Sequence, residues 1–558
     1  MRKLNFTDVG FLLAENRETP MHVGGVSLYT LPSGADERTF LHELATQLRN
    51  VDEFVPPFGD RLKMGRLGLA GPVHWERDPN LDLDYHIRHS ALPRPGRYRE
   101  LFTLVSRLHT TLLDRNRPMW EMHLIEGLQK RQFAVYTKSH HAALDGVRAT
   151  HISRSMLRTD PKAHMEKSPL SLENWQAYRA GLRQERPESY SDAELRNVGE
   201  AFKARFDSSA RVYGALKRLT ETWMRRDDDL LMPFRKVPHS SINTAVHGAR
   251  RFVAQSWPFA RIMKVAGAYN GTFNDAVLAI CGGALRYYLE RHAEVPKESL
   301  KAMVPVSVRA EGDLDSSNAI AAISADLGTN VADPIERFAA VQASVMAGKE
   351  FFQQLSSTEA QLLSLLMQTP AMLLMPLGLA DRLPPYNTVI SNVPGIREPM
   401  YWEGARLDGS YPVSIVTDGI AVNITLLTND KNVDFGIVAC RRSLPQVQRL
   451  IDYMEEAICD LEEGAGIGAG KKRATAKKGA ARPKARPKLK ASPKAKTKLK
   501  AETKTKAKTK TKAKTKAKTK TAPKAKPKAK AASKTKAAAK AKAGRKAQAR
   551  PKKSAPKK

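Results

Sequence analysis

Cysteine is scarce: three of 558 residues (Cys281, Cys440 and Cys459), widely separated and without a C-x-x-C pair. That excludes a disulfide framework and a thiolate metal site, and points to a reducing, cytoplasmic setting. A secretory leader is not expected either, because Met-Arg-Lys-Leu-Asn-Phe-Thr meets Asp8 and Glu15 before any long apolar run. The most apolar stretch, Leu362 to Leu379, is broken by Gln368, Pro370 and Pro376, which makes it a poor membrane span. It is a candidate lipid-facing surface, against the alternative of a buried helical pair. Acidic residues are missing from one region: Lys471 to Lys558 carries 38 Lys and Arg against a single acid, Glu502.

The formal charge of +36 is therefore a property of the tail, since the preceding 470 residues hold 55 basic and 56 acidic side chains. All the Phe, Tyr and Trp residues lie in that near-neutral body, which has the material for a large core and the length for two packed units. In the tail, Lys occupies every second position from Lys504 to Lys520. Like charges one turn apart repel in a helix, and nothing apolar is available to bury, so this segment is expected to be disordered. The preceding Gly464-Ala-Gly-Ile-Gly-Ala-Gly470 reads as a hinge. It is not a phosphate loop, because no strand precedes it and Lys472 stands where Ser or Thr is required.

The body alternates helical and strand patterns, an α/β class. Leu41, Leu44 and Leu48, like Leu101, Leu104, Val105, Leu108 and Leu112, have helical spacing, while Trp120 to Glu126 and Gln132 to Lys138 read as strands. Four segments follow: 1–170, a polar helical connection at 171–245, a second α/β unit at 246–463, and the hinge with its tail at 464–558. In the second unit, strands are expected at 301–309, 386–391, 419–427 and 433–440. A helix begins near Phe273, and an amphipathic one carries Leu444 to Leu461.

Chemistry concentrates in Ser139-His-His-Ala-Ala-Leu-Asp-Gly146, directly after the Gln132 strand. An imidazole titrates near neutrality and, as a positioned general base, contributes roughly 10²- to 10⁴-fold. Three other readings compete. A structural pair is the default for an isolated His dipeptide. A metal site from His140, His141 and Asp145 is disfavoured because adjacent strand side chains diverge and no further ligand cluster is evident. Ser139 lacks the surroundings of a nucleophile elbow.

His140-His141-x-x-x-Asp145-Gly146 after a strand resembles the active-site motif of the CoA-dependent acyltransferase superfamily. Phe6-Thr-Asp8 to Glu15, Thr19-Pro-Met-His-Val-Gly-Gly25, Arg117-Pro-Met-Trp120, Asn274-Asp275, Pro305-Val-Ser-Val-Arg309 and Ser391-Asn-Val-Pro-Gly395 narrow this. In that order, they resemble the bacterial bifunctional wax ester synthase/diacylglycerol acyltransferase family, across about residues 3 to 462. The resemblance implies two chloramphenicol-acetyltransferase-like domains with the active site in a channel between them. It implies acyl transfer from long-chain acyl-CoA, a co-substrate rather than a cofactor, to diacylglycerol or a fatty alcohol, with no metal. His141 becomes the general base, His140 shapes the loop, Asp145 is structural and paired to Arg117 or Arg309, and Gly146 permits the tight backbone.

Gly146, Asn274, Asp275, Pro118 and Trp120 are candidate substrate-binding residues, each beside a plainer role. Asn274-Asp275 also suits a helix N-terminus, Pro118 and Trp120 also suit packing, and Asn392-Val-Pro-Gly395 is a turn signature. The tail would span roughly 50 Å as a coil and favours polyanions. An anionic membrane or lipid-droplet surface is the economical partner for a lipid enzyme, at about 1 kcal/mol per Lys; nucleic acid is the alternative. A catalytically weak relative acting through its tail at lipid droplets or DNA is the competing class, disfavoured because it would have no chemical need for His141, Asp145, Gly146, Asn274 and Asp275.

Overall fold

The computed structural model describes residues 2–66, 68–144, 146–185, 234, 236–307, 320–353 and 379–467. Asp145, Arg309, the 362–378 part of the apolar stretch, most of the polar connection, and the basic tail lie outside the described residues. None of the described helices is long and apolar enough to cross a membrane.

Strand Gln132–His140 is buried along nearly its whole length, so its apolar run follows from burial on both faces. Phe133 and Val135 enter one core with Leu41, Leu44 and Leu48 of helix Glu37–Arg49. Ala134 and Tyr136 enter a second core with Leu101 and Val105 of helix Tyr98–Thr110. This strand is central in a six-stranded mixed sheet ordered Tyr401–Trp402, Ala405–Val413, His22–Thr30, Gln132–His140, Trp120–Glu126, Ile87–Ala91. A second six-stranded sheet is ordered Ile320–Asp326, Lys301–Ser307, Thr388–Ile396, Val422–Asn429, Asn432–Cys440, Arg250–Pro258. Helices Phe273–His292 and Arg449–Gly464 supply its core with Leu285, Leu289, Met454 and Ile458. The two-part α/β architecture expected from the sequence is present.

Two local expectations give way. Residues 401–413, placed by chain order in the second unit, belong to the first sheet, where Ala405–Val413 pairs antiparallel with His22–Thr30. Its alternating burial, with Ala405, Leu407, Tyr411 and Val413 inward, fits a strand of either sheet, so period alone does not name the partner. Asn392-Val-Pro-Gly395 is likewise no free turn, because strand Thr388–Ile396 runs through it with a register shift between Val393 and Ile396. Pro394 has no N–H for the ladder, which accounts for the irregularity. Gly395 is required by contact, since a Cβ there would lie 1.8 Å from the Thr428 carbonyl oxygen.

Candidate active site

His140 ends the central strand and His141 opens the turn that precedes helix Gly146–Ser155. The residues that lead into the two neighbouring strands, His22–Thr30 and Trp120–Glu126, hold the pair by their backbone. The His140 N–H donates to the Met119 carbonyl (3.0 Å) and the His141 N–H to the Met21 carbonyl (2.9 Å). The His140 carbonyl then accepts from the N–H groups of Ala143 and Leu144, closing a tight turn. The separate blocks Thr19 to Gly25 and Arg117 to Trp120 are therefore the two flanks of the histidine loop.

The imidazoles have different surroundings. His140 is fully buried. Its Nδ1 accepts the Ala142 N–H (3.1 Å), which places the proton of the neutral ring on Nε2. That nitrogen lies 3.4 Å from Oε1 of Glu15, itself almost wholly buried. Glu15 also accepts the Met21 N–H (3.1 Å) and two donors of Arg115 (3.0 and 3.2 Å). Burial raises the Glu15 carboxyl, but His140, the Met21 amide and Arg115 outweigh it and leave it below the ordinary carboxylate range. His141 is half-buried and stacks on Phe11, with centroids 4.2 Å apart and planes at 19°. The outcome is one enclosed histidine braced by an anion and one partly open histidine held against an aromatic wall.

Residues 4–277 match the family model for the wax ester synthase/diacylglycerol acyltransferase catalytic domain, and residues 316–462 match that of the WS/DGAT C-terminal domain. "Probable diacyglycerol O-acyltransferase tgs2" of Mycobacterium tuberculosis is 42% identical over 462 residues, covering 82% of this chain and 98% of the relative. The chain belongs to the wax ester synthase/diacylglycerol acyltransferase family. "O-acyltransferase WSD" of Acinetobacter baylyi is 38% identical over 459 residues, covering 82% and 96%. The wax ester synthase/diacylglycerol acyltransferase from Marinobacter aquaeolei has the same architecture, with a TM-score of 0.66 at 38% identity over 84% of this chain and 100% of that one. The first condensation domain of the calcium-dependent antibiotic synthetase shares the fold at 16% identity, covering 83% and 96%, with a TM-score of 0.50.

The remaining positions of this acyltransferase fall into place unevenly. Trp120 is buried, stacks on His86 (4.6 Å) and donates its indole N–H to the Phe58 carbonyl (2.8 Å), so it packs behind the loop, next to the buried Pro118. Asp275 forms a capping box with Thr272 at the start of helix Phe273–His292, and Asn274 sits half-buried beside it. Its Oδ2 accepts the Thr272 N–H (2.8 Å), while Oδ1 is buried without a hydrogen-bond partner among the described residues. A Cβ at Gly146 would meet nothing within 4 Å among the described residues. The guanidinium of Arg117 covers the Tyr85 ring (4.2 Å) and lies in ion-pair range of Asp82 (3.3 Å) and Asp114 (3.8 Å). The pairing of Asp145, like Arg309, lies outside the described residues. Glu15, Arg115 and Phe11 were not singled out from sequence; the only signal was that Phe11 and Glu15 fall in the family's opening block.

Proposed function

We propose that this chain moves a long-chain acyl group from acyl-CoA to the hydroxyl of diacylglycerol, with long-chain alcohols as further acceptors, and that His141 is the general base. The observation carrying this is the half-buried His141 imidazole, fixed through its own backbone to Met21 and against Phe11. In this reading His141 takes the acceptor's hydroxyl proton as the oxygen attacks the thioester carbonyl. The tetrahedral intermediate collapses with cleavage of the C–S bond, and the imidazolium returns the proton to the departing CoA thiolate. No covalent enzyme intermediate and no cofactor enter, so positioning and charge stabilisation share the catalysis. Asn274, Asp275 and the open space at Gly146 are the substrate-side candidates.

The test offers the full chain acyl-CoA with diacylglycerol and a long-chain alcohol side by side. Ester that forms with the wild type and disappears with His141→Ala supports the reading, and the product ratio names the preferred acceptor. Ester formation that survives in His141→Ala overturns the base assignment.

The basic tail suits an anionic lipid surface, which would bring the enzyme to its apolar substrates. Co-flotation of the full chain with phosphatidylserine vesicles should fall steeply with salt. Equal flotation with neutral vesicles, or displacement by duplex DNA at stoichiometric amounts, would count against the lipid surface.

A further inference from the structure

Beneath the histidine loop lies a buried polar cluster for which the proposed reaction has no direct use. It surrounds the C-terminal end of helix Tyr98–Thr110, where carbonyl groups have no partner within the helix. The Leu108 and Thr111 carbonyls accept from Nζ of Lys138 (3.1 and 3.0 Å), and the His109 carbonyl accepts from Nε2 of His22 (2.6 Å). All three side chains are buried, Lys138 and His22 completely. Both donors come from the strands that carry the site. Lys138 precedes His140 by two residues, and His22 is the cross-strand partner of His140 and follows Met21, whose carbonyl holds the His141 N–H. A cation at this end of a helix is also favoured by the helix dipole.

The same helix is fastened to the second sheet. The Oγ of Ser106 accepts the Phe252 N–H (2.9 Å), Oγ1 of Thr110 accepts the Arg250 N–H (3.2 Å), and the Phe102 and Phe252 rings meet edge to face at 5.3 Å. His109 makes the remaining connection. Its Nε2–H donates to the Ser414 carbonyl (3.1 Å), just past the strand that crosses between the two halves, and its Nδ1 accepts the hydroxyl proton of Tyr136 (2.9 Å). Burial, reinforced by the Lys138 charge, lowers its pKa to about 3. The ring is therefore neutral, and this donor–acceptor pattern is its only tautomer that satisfies both partners.

We infer that His109 is a positioning residue of this acyltransferase: it ties Ser414, at the end of the crossing strand, to the Tyr136 and His22 strands, and thereby holds the His141 loop in its reactive placement. His109 is fixed at three points at once, by its two ring nitrogens and its carbonyl. Removing the ring deprives the Ser414 carbonyl and the buried Tyr136 hydroxyl of their partner and leaves the helix end, still gripped by His22 through the carbonyl of residue 109, free to shift against Ser414. The movement reaches Met21 and hence the His141 backbone. The inference rests on His141 being the base, and its test has one readout that does not.

Three full-length variants are compared: His109→Ala, His109→Gln, which can still donate toward Ser414, and Tyr136→Phe, which removes only the hydroxyl. Turnover should fall about tenfold or more in His109→Ala with KM for both substrates nearly unchanged, less in Tyr136→Phe, and be partly rescued in His109→Gln. In parallel, carbethoxylation by diethyl pyrocarbonate is followed by mass spectrometry. His141 should react at least about threefold faster in His109→Ala, while the exposed His164 reacts at the wild-type rate. Unchanged turnover together with unchanged His141 reactivity in a cooperatively folded His109→Ala overturns the inference. If that variant does not fold, wild-type turnover and His141 reactivity in Tyr136→Phe do the same. Altered His141 reactivity in a protein whose activity survives His141→Ala would instead remove the base assignment and leave the positioning role standing.

Discussion

The Glu15 carboxylate and the His140 imidazole face each other at 3.4 Å, both buried, where the end of helix Phe6–Ala14 meets the end of strand Gln132–His140. Arg115 closes the other side of Glu15, and the Met21 amide fills its remaining lone pair. Glu15→Gln keeps the shape and removes the charge. Turnover should drop about tenfold with KM little changed, since the loss bears on placement of the loop. The Glu15 carboxyl is held below its ordinary range, so it is ionised throughout the neutral region. The deficit should thus be equal at pH 6.5 and pH 8; a deficit that disappears at either end would separate Glu15 from the loop.

Asp434 joins the crossing strand to the second sheet. Its carboxyl meets Ser256 Oγ at 2.5 Å and accepts the Ser410 N–H at 2.6 Å. Burial is the main cause that raises its pKa to about 6, above the effect of its hydrogen bonds. The folded state therefore holds this proton more tightly than the unfolded chain. The associated stability is complete below the ordinary carboxylate value and is lost as pH rises through about 6, on the order of 3 kcal/mol in all. Urea midpoints of the wild type and Asp434→Asn should diverge over that window, with the variant lacking the decline. Parallel curves would mean that Asp434 is ionised when folded.

Gly436 admits the crossing strand. A Cβ at this position would lie 1.9 Å from the Pro412 carbonyl oxygen, which is backbone and has little room to yield. Gly436→Ala should destabilise the protein by about 1–3 kcal/mol through overpacking, measured as a lower urea midpoint at unchanged slope. A midpoint within error of the wild type would show that the two strands separate at little cost.

Trp120 separates packing from substrate contact. Trp120→Phe leaves the Phe58 carbonyl without its indole donor and should cost about 1–3 kcal/mol of stability, with KM for acyl-CoA and acceptor retained. The opposite pattern, unchanged stability with a several-fold rise in KM, would put Trp120 in the substrate path.

Sequence by itself determined the class of this protein, the strand that leads into the His140-His141 pair, the separation of a neutral body from a basic tail, and the family. These follow from information that is local: apolar period, an ordered set of short motifs, and charge counted along the chain. The tertiary structure alone decided that residues 401–413 leave their half for the other sheet, because a strand's period specifies its faces but not its neighbour. The helix N-terminus at Asn274-Asp275 was legible locally, and the structure closes it as a capping box of Asp275 with Thr272. The tertiary structure also brought Glu15 to His140 and His109 to Ser414, pairs separated by 125 and 305 residues. Single charged or polar residues like these have no periodicity to announce them. Their roles arise only when folding buries them, since a polar group removed from water must find a partner wherever the chain supplies one.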